Sequence, residues 1–235
     1  MKGKIEVILV DIGNTQIKSA EVIDENIGPV RTFAKFSELL EAYPENTQMM
    51  ISSTRSERIR SHRLTFLDHA TPLPIRSAYT TPETLGMDRI AAAVGAYELY
   101  PNQNSLIIDM GTCITMDLIT EGGEFMGGII SPGLKMRMKA MSHYTDNLPD
   151  ISPTWEEHSL QILGASTDQC LLAGSFGGVV NEIEGVINKL DKDFTSINVI
   201  LTGGDAHYFE SKVKAHIFAG SKIVLTGLYR IWKDL

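Results

Sequence analysis

The chain has 235 residues, of which 43% are hydrophobic and 21% are charged, an ordinary composition for a globular protein. Its 21 Lys and Arg residues face 29 Asp and Glu residues, and the formal net charge of −8 argues against a basic surface for nucleic acid or anionic membrane. The two cysteines, Cys113 and Cys170, are too few for a disulfide-rich scaffold or a four-cysteine zinc site.

The amino-terminal residues predict a cytoplasmic protein. Only a short apolar run over residues 5–10 follows Lys2 and Lys4, and Glu6 interrupts it, whereas a secretory signal needs about 7–15 apolar residues. No stretch approaches the roughly 20 apolar residues that cross a bilayer. We therefore expect a cytoplasmic protein whose partners include neither a membrane nor nucleic acid.

The first half of the chain alternates strand patterns with helix patterns. Residues 5–10 are mostly apolar and β-branched, and a strand over 16–22 is expected to pair with them as a hairpin. A buried strand is predicted over 48–53. The remaining patterned segments predict helices, over 36–43, 55–70 and 88–100.

The helix over 88–100 is preceded by a typical helix opening at 81–83, Thr-Pro-Glu. Small side chains make much of this helix slim: Ala91, Ala92, Ala93 and Gly95. We expect another backbone to pack closely against it, and we expect this region to lie near the subunit contact of a homodimer.

The second half repeats the opening of the first. An apolar strand over 105–108 precedes two further strands, over 114–120 and 124–130. The later segments predict helices from 133 to about 144, over 167–190 and over 222–235, and a strand over 198–201. A polar stretch over 101–104 marks the seam, so we expect two related domains, 1–103 and 104–235, with a cleft between them.

Each half contains a strand that ends in an acidic turn. The first acidic turn (residues 11–15) reads Asp-Ile-Gly-Asn-Thr, and the second acidic turn (residues 109–112) reads Asp-Met-Gly-Thr. Backbone N–H groups in such a turn can hold phosphate oxygens, and the aspartate can hold hydrated Mg²⁺. Either turn alone is also compatible with a plain hairpin, but two copies facing one cleft favour a nucleotide site.

Two further segments have a functional and a plain interpretation. Gly203 and Gly204 follow an apolar strand, where they would let a phosphate approach the backbone or would simply form a turn. Asp88 could accept a proton from a substrate hydroxyl and Arg89 could bind a carboxylate or phosphate, or both could be surface charges.

Signatures of several other enzyme classes are absent from the sequence. There is no G-x-G-x-x-G dinucleotide motif, no G-x-S-x-G elbow and no H-E-x-x-H zinc motif. Gly128 and Gly133 have the spacing of a P-loop, but Leu134 stands where its lysine should be. These absences weaken the dinucleotide, esterase and zinc-protease alternatives.

Five motifs, in order along the chain, resemble those of type III pantothenate kinases: residues 11–15, 79–89, 109–112, 127–136 and 202–206. The resemblance implies an α/β architecture, the duplicated actin-like and sugar-kinase-like (ribonuclease-H-like) fold. It also implies ATP-dependent phosphorylation of pantothenate on its primary hydroxyl, the first step of coenzyme A synthesis. Enzymes of this type are cytoplasmic homodimers that need Mg²⁺ and a monovalent cation, K⁺ or NH₄⁺.

The resemblance further implies roles for individual residues. Asp88 would be the general base. The pantothenate contacts would be Tyr79, Gly86, Met87, Arg89 and Thr167. The ATP contacts would be Asp11, Gly13, Asn14, Thr15, Lys18 and Thr112. The metal sites would be Asp11 for Mg²⁺, through water, and Asp109 for the monovalent cation.

Two other functions fit the same pattern of residues. One is a small-molecule kinase of the same superfold that acts on a sugar or another acid. The other is a nucleotide-binding regulator that has lost turnover. The presence of Asp88 beside Arg89 argues against the regulator, since a pure nucleotide binder needs no base.

Overall fold

The computed structural model describes residues 4–55, 59–151, 162–213, 217–220 and 222–235. Within these ranges the chain forms two six-stranded sheets and a set of helices.

The first sheet is centred on strand β1 (Ile5–Ile12), in agreement with the predicted strand over 5–10. β1 pairs antiparallel with β2 (Ile17–Ile23) and parallel with β5 (Met49–Ser53), whose residues are all buried. The other strands are β3 (Asn26–Ile27), β4 (Arg31–Phe33) and β6 (Leu64–Phe66). The order is β3-β2-β1-β5-β6, and β4 pairs with β2 beside β3.

The second sheet is centred on strand β8 (Asn104–Met110). Its other strands are β7 (Arg76–Ser77), β9 (Cys113–Ile119), β10 (Glu124–Pro132), β11 (Ile197–Thr202) and β12 (Ile217–Ala219). Their order is β12-β11-β8-β9-β10-β7. The strands predicted over 105–108, 114–120, 124–130 and 198–201 are all confirmed.

The two sheets repeat one strand order. Apart from β4 and β7, the first sheet runs β3-β2-β1-β5-β6 and the second runs β10-β9-β8-β11-β12. In each sheet, therefore, the third, second, first, fourth and fifth strands of the repeat lie side by side. β1 and β8 occupy equivalent places and each ends at an acidic turn, which confirms the predicted duplicated α/β architecture.

Six α-helices are formed by the described residues: α1 (Phe36–Glu41), α2 (Met87–Leu99), α3 (Leu134–His143), α4 (Thr167–Leu172), α5 (Gly178–Leu190) and α6 (Ile223–Trp232). A π-helical turn over Ala173–Gly177 joins α4 to α5. The continuous stretch Thr167–Leu190 is long and apolar enough to cross a membrane by length and composition alone. Core helices pass the same test, and the inner face of α5 is buried in the second core.

The helix predicted over 55–70 is wrong, because the described part of this segment contains the strand β6. Leu64 and Phe66 pack against the core of the first sheet, while Thr65 between them is exposed. This alternation has the period of a strand, and β6 pairs parallel with β5. Residues 56–58 of the predicted helix lie outside the described residues.

The helix opening predicted at 81–83 forms a short 3₁₀ turn over Pro82–Thr84 instead of the start of α2. Leu85 then adopts an extended conformation, with φ −71° and ψ 129°, and its side chain is buried. The extended residue interrupts helical hydrogen bonding, so α2 begins at Met87 with Gly86 as its N-cap.

The slim face of α2 packs against α6 of the same chain. A Cβ atom placed on Gly95 would overlap the carbonyl of Ile223, and one placed on Gly227 would overlap the carbonyl of Ala91. The close backbone packing expected from the small residues is confirmed. α6 covers this face within the same chain, and the expectation that the region lies near a homodimer contact stays a prediction.

The chain divides into two compact units. The first comprises Met1–Ser105, Asp117–Gly127 and Lys222–Leu235, and the second comprises Leu106–Met116 and Gly128–Ser221. In the first unit β1, β2 and β5 share a core with α1, and in the second β8, β9 and β11 share one with α3 and α5. The predicted domains 1–103 and 104–235, with their cleft, stay a prediction; the packing of α6 on α2 assigns α6 to the first unit.

Candidate active site

The first acidic turn lies at the carboxyl end of β1. A hydrogen bond from the Gly13 N–H to the Gln16 carbonyl, 3.0 Å long, closes the turn. The strand register places Asp11 opposite Lys18 on β2 and opposite Ser52 on β5. The structure thus brings together the predicted phosphate-binding residues of the first unit, namely Asp11, Gly13, Asn14, Thr15 and Lys18.

The end of β5 holds this turn in place. The Thr54 N–H donates to the Ile12 carbonyl at 3.0 Å, and the Thr54 hydroxyl donates to the same oxygen at 3.2 Å. Arg55 Nε donates to the Gly13 carbonyl at 3.2 Å. Neither side chain was predicted from the sequence, where Arg55 falls at the start of the helix expected over 55–70. The parallel pairing of β1 with β5 was the missing information, since it puts the two carboxyl ends side by side.

Asp88 lies in the first turn of α2, where its carboxylate accepts hydrogen bonds from the backbone N–H groups of Asp88 and Arg89. Burial raises the pKa of Asp88 above its usual value. The backbone hydrogen bonds and the charge of Arg89 lower this pKa, whereas the charge of Asp117 raises it further. The net effect is a raised pKa, which makes the ionised form a stronger base.

Because Gly86 has no side chain, there is room beside it for the Asp88 carboxylate. A Cβ atom at Gly86 would lie 2.5 Å from Asp88 Oδ1, well inside van der Waals contact. The backbone conformation at Gly86, with φ −62° and ψ 132°, is one that any residue type can adopt. The requirement for glycine is therefore steric, and it comes from the position of the carboxylate.

We expect Gly86→Ala to lower kcat by about 10- to 100-fold, because the added methyl group displaces the Asp88 carboxylate by a distance that matters for proton transfer. The measurement is kcat in an assay of ADP release. Gly185→Ala is the matched control, since nothing lies within 4 Å of a Cβ at that helical position. A wild-type kcat for Gly86→Ala would contradict the role of this contact.

Arg89 forms a buried ion pair with Asp117 of β9. Arg89 Nε donates to the two carboxylate oxygens at 3.1 and 3.0 Å, and Nη2 donates to Oδ1 at 2.5 Å. Arg89 is 7% exposed and Asp117 is 2% exposed. A substrate carboxylate would have to share this guanidinium with Asp117. Asp117 was not predicted from the sequence. The feature that could have indicated it is that it is a single acidic residue within an apolar strand.

Tyr79 packs beside this ion pair. The Arg89 guanidinium carbon lies 5.7 Å from the centroid of the Tyr79 ring, and that ring lies 6.2 Å from the ring of Phe125. Gly127 has φ +92°, and a Cβ there would lie 3.4 Å from the Tyr79 ring. The first unit therefore gathers Tyr79, Gly86, Asp88 and Arg89. Met87 adjoins them with a buried side chain.

The second acidic turn contacts two other segments of the second unit, at Gly133 and at residues 202–205. The Gly133 N–H donates to the Thr112 carbonyl at 3.1 Å, and the Asp205 N–H donates to the Met110 carbonyl at 3.0 Å. Gly203 has φ +95°, and a Cβ there would lie 2.5 Å from Asp109 Oδ1. Glycine at this position thus allows the 202–205 segment to lie directly against Asp109.

The donor set of the second acidic turn fits a hard cation. It comprises the Asp109 carboxylate, the Met110 carbonyl and the Thr112 hydroxyl, all of them oxygen ligands. A side chain at Gly203 would fill the space beside Asp109 Oδ1. Beside this turn, burial raises the pKa of Asp205, while the charges of Lys135 and His207 lower it.

Elsewhere in the described chain, no group of three or more His, Cys, Asp or Glu residues could hold a metal on its own. The first acidic turn offers one carboxylate, Asp11, together with the hydroxyl and amide oxygens of Thr15 and Asn14. This set fits Mg²⁺, which proteins commonly bind through one or two carboxylates together with substrate phosphates.

Thr167 is the first residue of α4 and belongs to the second unit, whereas the other predicted pantothenate contacts belong to the first. It is exposed and lines a cavity of about 630 Å³ together with Met141, Leu148 and Cys170. Its predicted contact with pantothenate stays a prediction.

Comparison with known proteins places the chain in a family. The sequence model described as type III pantothenate kinase matches residues 7–189. This chain belongs to the type III pantothenate kinase family. A type III pantothenate kinase of Cytophaga hutchinsonii is 39% identical over 231 residues, which cover 95% of this chain and 97% of the relative. The type III pantothenate kinase of Phocaeicola vulgatus is 40% identical over 236 residues, with coverage of 95% and 96%.

Solved structures show the same fold. A Campylobacter jejuni protein described as a Baf family transcriptional activator aligns with a TM-score of 0.66 at 24% identity, and covers 97% of this chain and 98% of its own. A Sinorhizobium meliloti protein described as a 2-dehydro-3-deoxygalactonokinase aligns with a TM-score of 0.61 at 12% identity and the same coverage. At these identities the likeness concerns the fold alone, and it agrees with the duplicated sugar-kinase-like architecture of this type III pantothenate kinase family member.

Proposed function

We propose that this chain transfers the γ-phosphoryl group of ATP to the primary hydroxyl of pantothenate, the first step of coenzyme A synthesis. Membership of the type III pantothenate kinase family supports this function. The structural observation that carries it is the half-buried Asp88 carboxylate, held against Gly86 and beside Arg89, with a raised pKa.

In the proposed reaction the pantothenate hydroxyl oxygen bonds to the γ-phosphorus while the bond from that phosphorus to the β,γ-bridging oxygen breaks. Asp88 accepts the hydroxyl proton, and ADP departs with the bridging oxygen. A raised pKa suits this role, since the ionised carboxylate binds a proton more tightly than an exposed aspartate does.

The proposed nucleotide contacts are Asp11, Gly13, Asn14, Thr15, Lys18 and Thr112. Asp11 would hold Mg²⁺ through water, and the bound ion would supply charge neutralisation for the phosphates. The proposed pantothenate contacts are Tyr79, Gly86, Met87, Arg89 and Thr167. The ion pair with Asp117 already orients the Arg89 guanidinium. It thereby restricts the directions from which a substrate carboxylate can approach Arg89.

We expect activity to depend on K⁺ or NH₄⁺ held at Asp109. At fixed ionic strength, added KCl or NH₄Cl should raise the rate of ADP release, whereas NaCl or a bulky organic cation should substitute poorly. Asp109→Asn should flatten this response and raise KM for ATP. Full activity in a buffer without K⁺ or NH₄⁺, unchanged when either is added, would contradict the assignment of Asp109.

We also expect a cytoplasmic homodimer that binds neither nucleic acid nor membrane. The region of α2 is expected to lie near the subunit contact, beyond the face that α6 covers. Light scattering at micromolar concentration should give a mass near twice that of the 25.9 kDa chain. A monomer under these conditions would contradict the expected dimer.

The proposed activity is tested by identifying the product. Incubation with MgATP, KCl and pantothenate should yield a compound heavier than pantothenate by one phosphoryl group, with the phosphorus esterified to the primary alcohol. Mass spectrometry and phosphorus NMR give these two results. ADP formation without such a product would contradict the proposal.

A further inference from the structure

Arg55 is fixed against the first acidic turn by its side chain and by its backbone. Its Nε donates to the Gly13 carbonyl at 3.2 Å, and Nη2 lies 3.5 Å from the Asn14 carbonyl. Its own N–H donates to the Ser53 hydroxyl at 3.1 Å, and that hydroxyl donates back to the Arg55 carbonyl at 3.2 Å. The guanidinium is therefore held beside the loop that is proposed to receive the nucleotide phosphates.

The charge of Arg55 is not neutralised by a carboxylate within the described residues. Arg31, Arg89, Arg137 and Arg230 each have an acidic partner within 4.0 Å, whereas Arg55 contacts backbone carbonyls and a serine hydroxyl. Its two side-chain contacts use Nε and Nη2, so Nη1 has no partner among the described residues. A half-buried guanidinium with unused N–H donors is well suited to bind an anion.

The other cation of this turn is placed differently. Lys18 lies opposite Asp11 in the strand register, so its positive charge stands beside a negative one. Without Arg55 the turn would present little net positive charge to a triphosphate. Arg55 is a further basic side chain beside this turn, and it was not predicted from the sequence.

We propose that Arg55 is a nucleotide-binding residue that contacts the β-phosphate of ATP or ADP and supplies a fixed positive charge to the first acidic turn. This inference rests on the proposed function, since it assumes that the turn receives the phosphates. Arginine suits such a contact because its planar fork donates to the turn and to a phosphate oxygen together.

The test measures nucleotide affinity by titration calorimetry with MgADP and with AMP, in the absence of pantothenate. Arg55→Gln should weaken MgADP binding by about 10- to 100-fold, the scale of a charge-assisted hydrogen bond, and change AMP binding by less than about twofold. Arg76→Gln is the matched control, because Arg76 also donates to the carbonyl of a turn glycine, Gly122, at 3.3 Å. It should alter neither affinity.

Arg55→Lys separates the effect of the positive charge from the effect of the side-chain contacts that hold the turn. With its positive charge kept, this variant should bind MgADP more tightly than Arg55→Gln and keep the wild-type dependence of affinity on NaCl concentration at fixed KCl. Arg55→Gln should show a shallower dependence. Equal loss of MgADP and AMP affinity, or no loss of either, would overturn the proposal, and so would a lysine variant that behaves like the glutamine variant.

The failure of this proposal is distinguishable from the failure of the proposed function. Pantothenate-dependent ADP release by the wild-type protein, with unchanged MgADP affinity in Arg55→Gln, would overturn the role of Arg55 alone. An absence of pantothenate-dependent ADP release in the wild-type protein would overturn the proposed function, whatever the calorimetry gives.

Discussion

Asp88→Asn is expected to lower kcat by about 10²–10⁴-fold, the scale of general-base catalysis, and to change KM for pantothenate much less. Asparagine keeps the shape of the side chain and can accept a hydrogen bond, but it cannot take up the hydroxyl proton. Asp191→Asn is the control, because Asp191 is an exposed residue at the end of α5. A near-normal kcat for Asp88→Asn would remove Asp88 from the mechanism.

The same variant should not be less stable than the wild-type protein. Because burial raises the pKa of Asp88, the folded state binds its proton more tightly than the unfolded state does. The contribution of this group to stability is therefore greatest below the unfolded pKa and is lost as the pH rises through the folded pKa. At a pH above the folded pKa the amide replaces a half-buried charge, so a Tm equal to or above the wild-type Tm is expected there. A lower Tm would assign the loss of activity to misfolding.

Asp117→Ala is expected to lower the free energy of unfolding by about 3–5 kcal/mol, because it leaves the Arg89 guanidinium buried without its partner. Urea unfolding followed by circular dichroism measures this change. Glu182→Ala is the control, since it breaks the more exposed Arg137–Glu182 pair and should cost about 1 kcal/mol or less. Wild-type stability for Asp117→Ala would contradict the importance of the buried pair.

A double variant separates stability from activity at this pair. Replacing Arg89 by Met and Asp117 by Leu removes both charges and fills the space with apolar side chains, which restores much of the stability in comparable buried pairs. We expect the double variant to be more stable than Asp117→Ala and still to have a strongly reduced kcat/KM for pantothenate. Recovery of activity together with stability would show that the pair is structural only.

Local patterns were sufficient to predict most strands and helices of this chain. The apolar strand before each acidic turn and the small-residue face of α2 all correspond to observed features. The prediction failed at 55–70 because β6 is only three residues long and is specified by its pairing with β5, a contact distant in the sequence. It failed at 81–83 because burial of Leu85 interrupts a segment with good local helix signals.

The residues of the candidate site could be chosen from the sequence only where they lie close together in one motif. The motif residues of the first acidic turn and Asp88 with Arg89 could be chosen from sequence because each group lies on one turn or one helix end. Asp117 and Arg55 could not, because their partners lie 28 and 42 residues away and no local pattern encodes such contacts. The raised pKa of Asp88 likewise results from tertiary burial and from the charge of Asp117.

The most direct test of the central claim is coupled ADP release with a panel of acceptors, namely pantothenate, glucose, glycerol and acetate, at saturating MgATP and KCl. The account predicts rapid ADP release with pantothenate and only background release with the other three. Comparable release with glucose, glycerol or acetate would instead indicate a different small-molecule kinase of the same fold. No acceptor-dependent release with any of the four would contradict the assignment of a kinase active site to Asp88 and its neighbours.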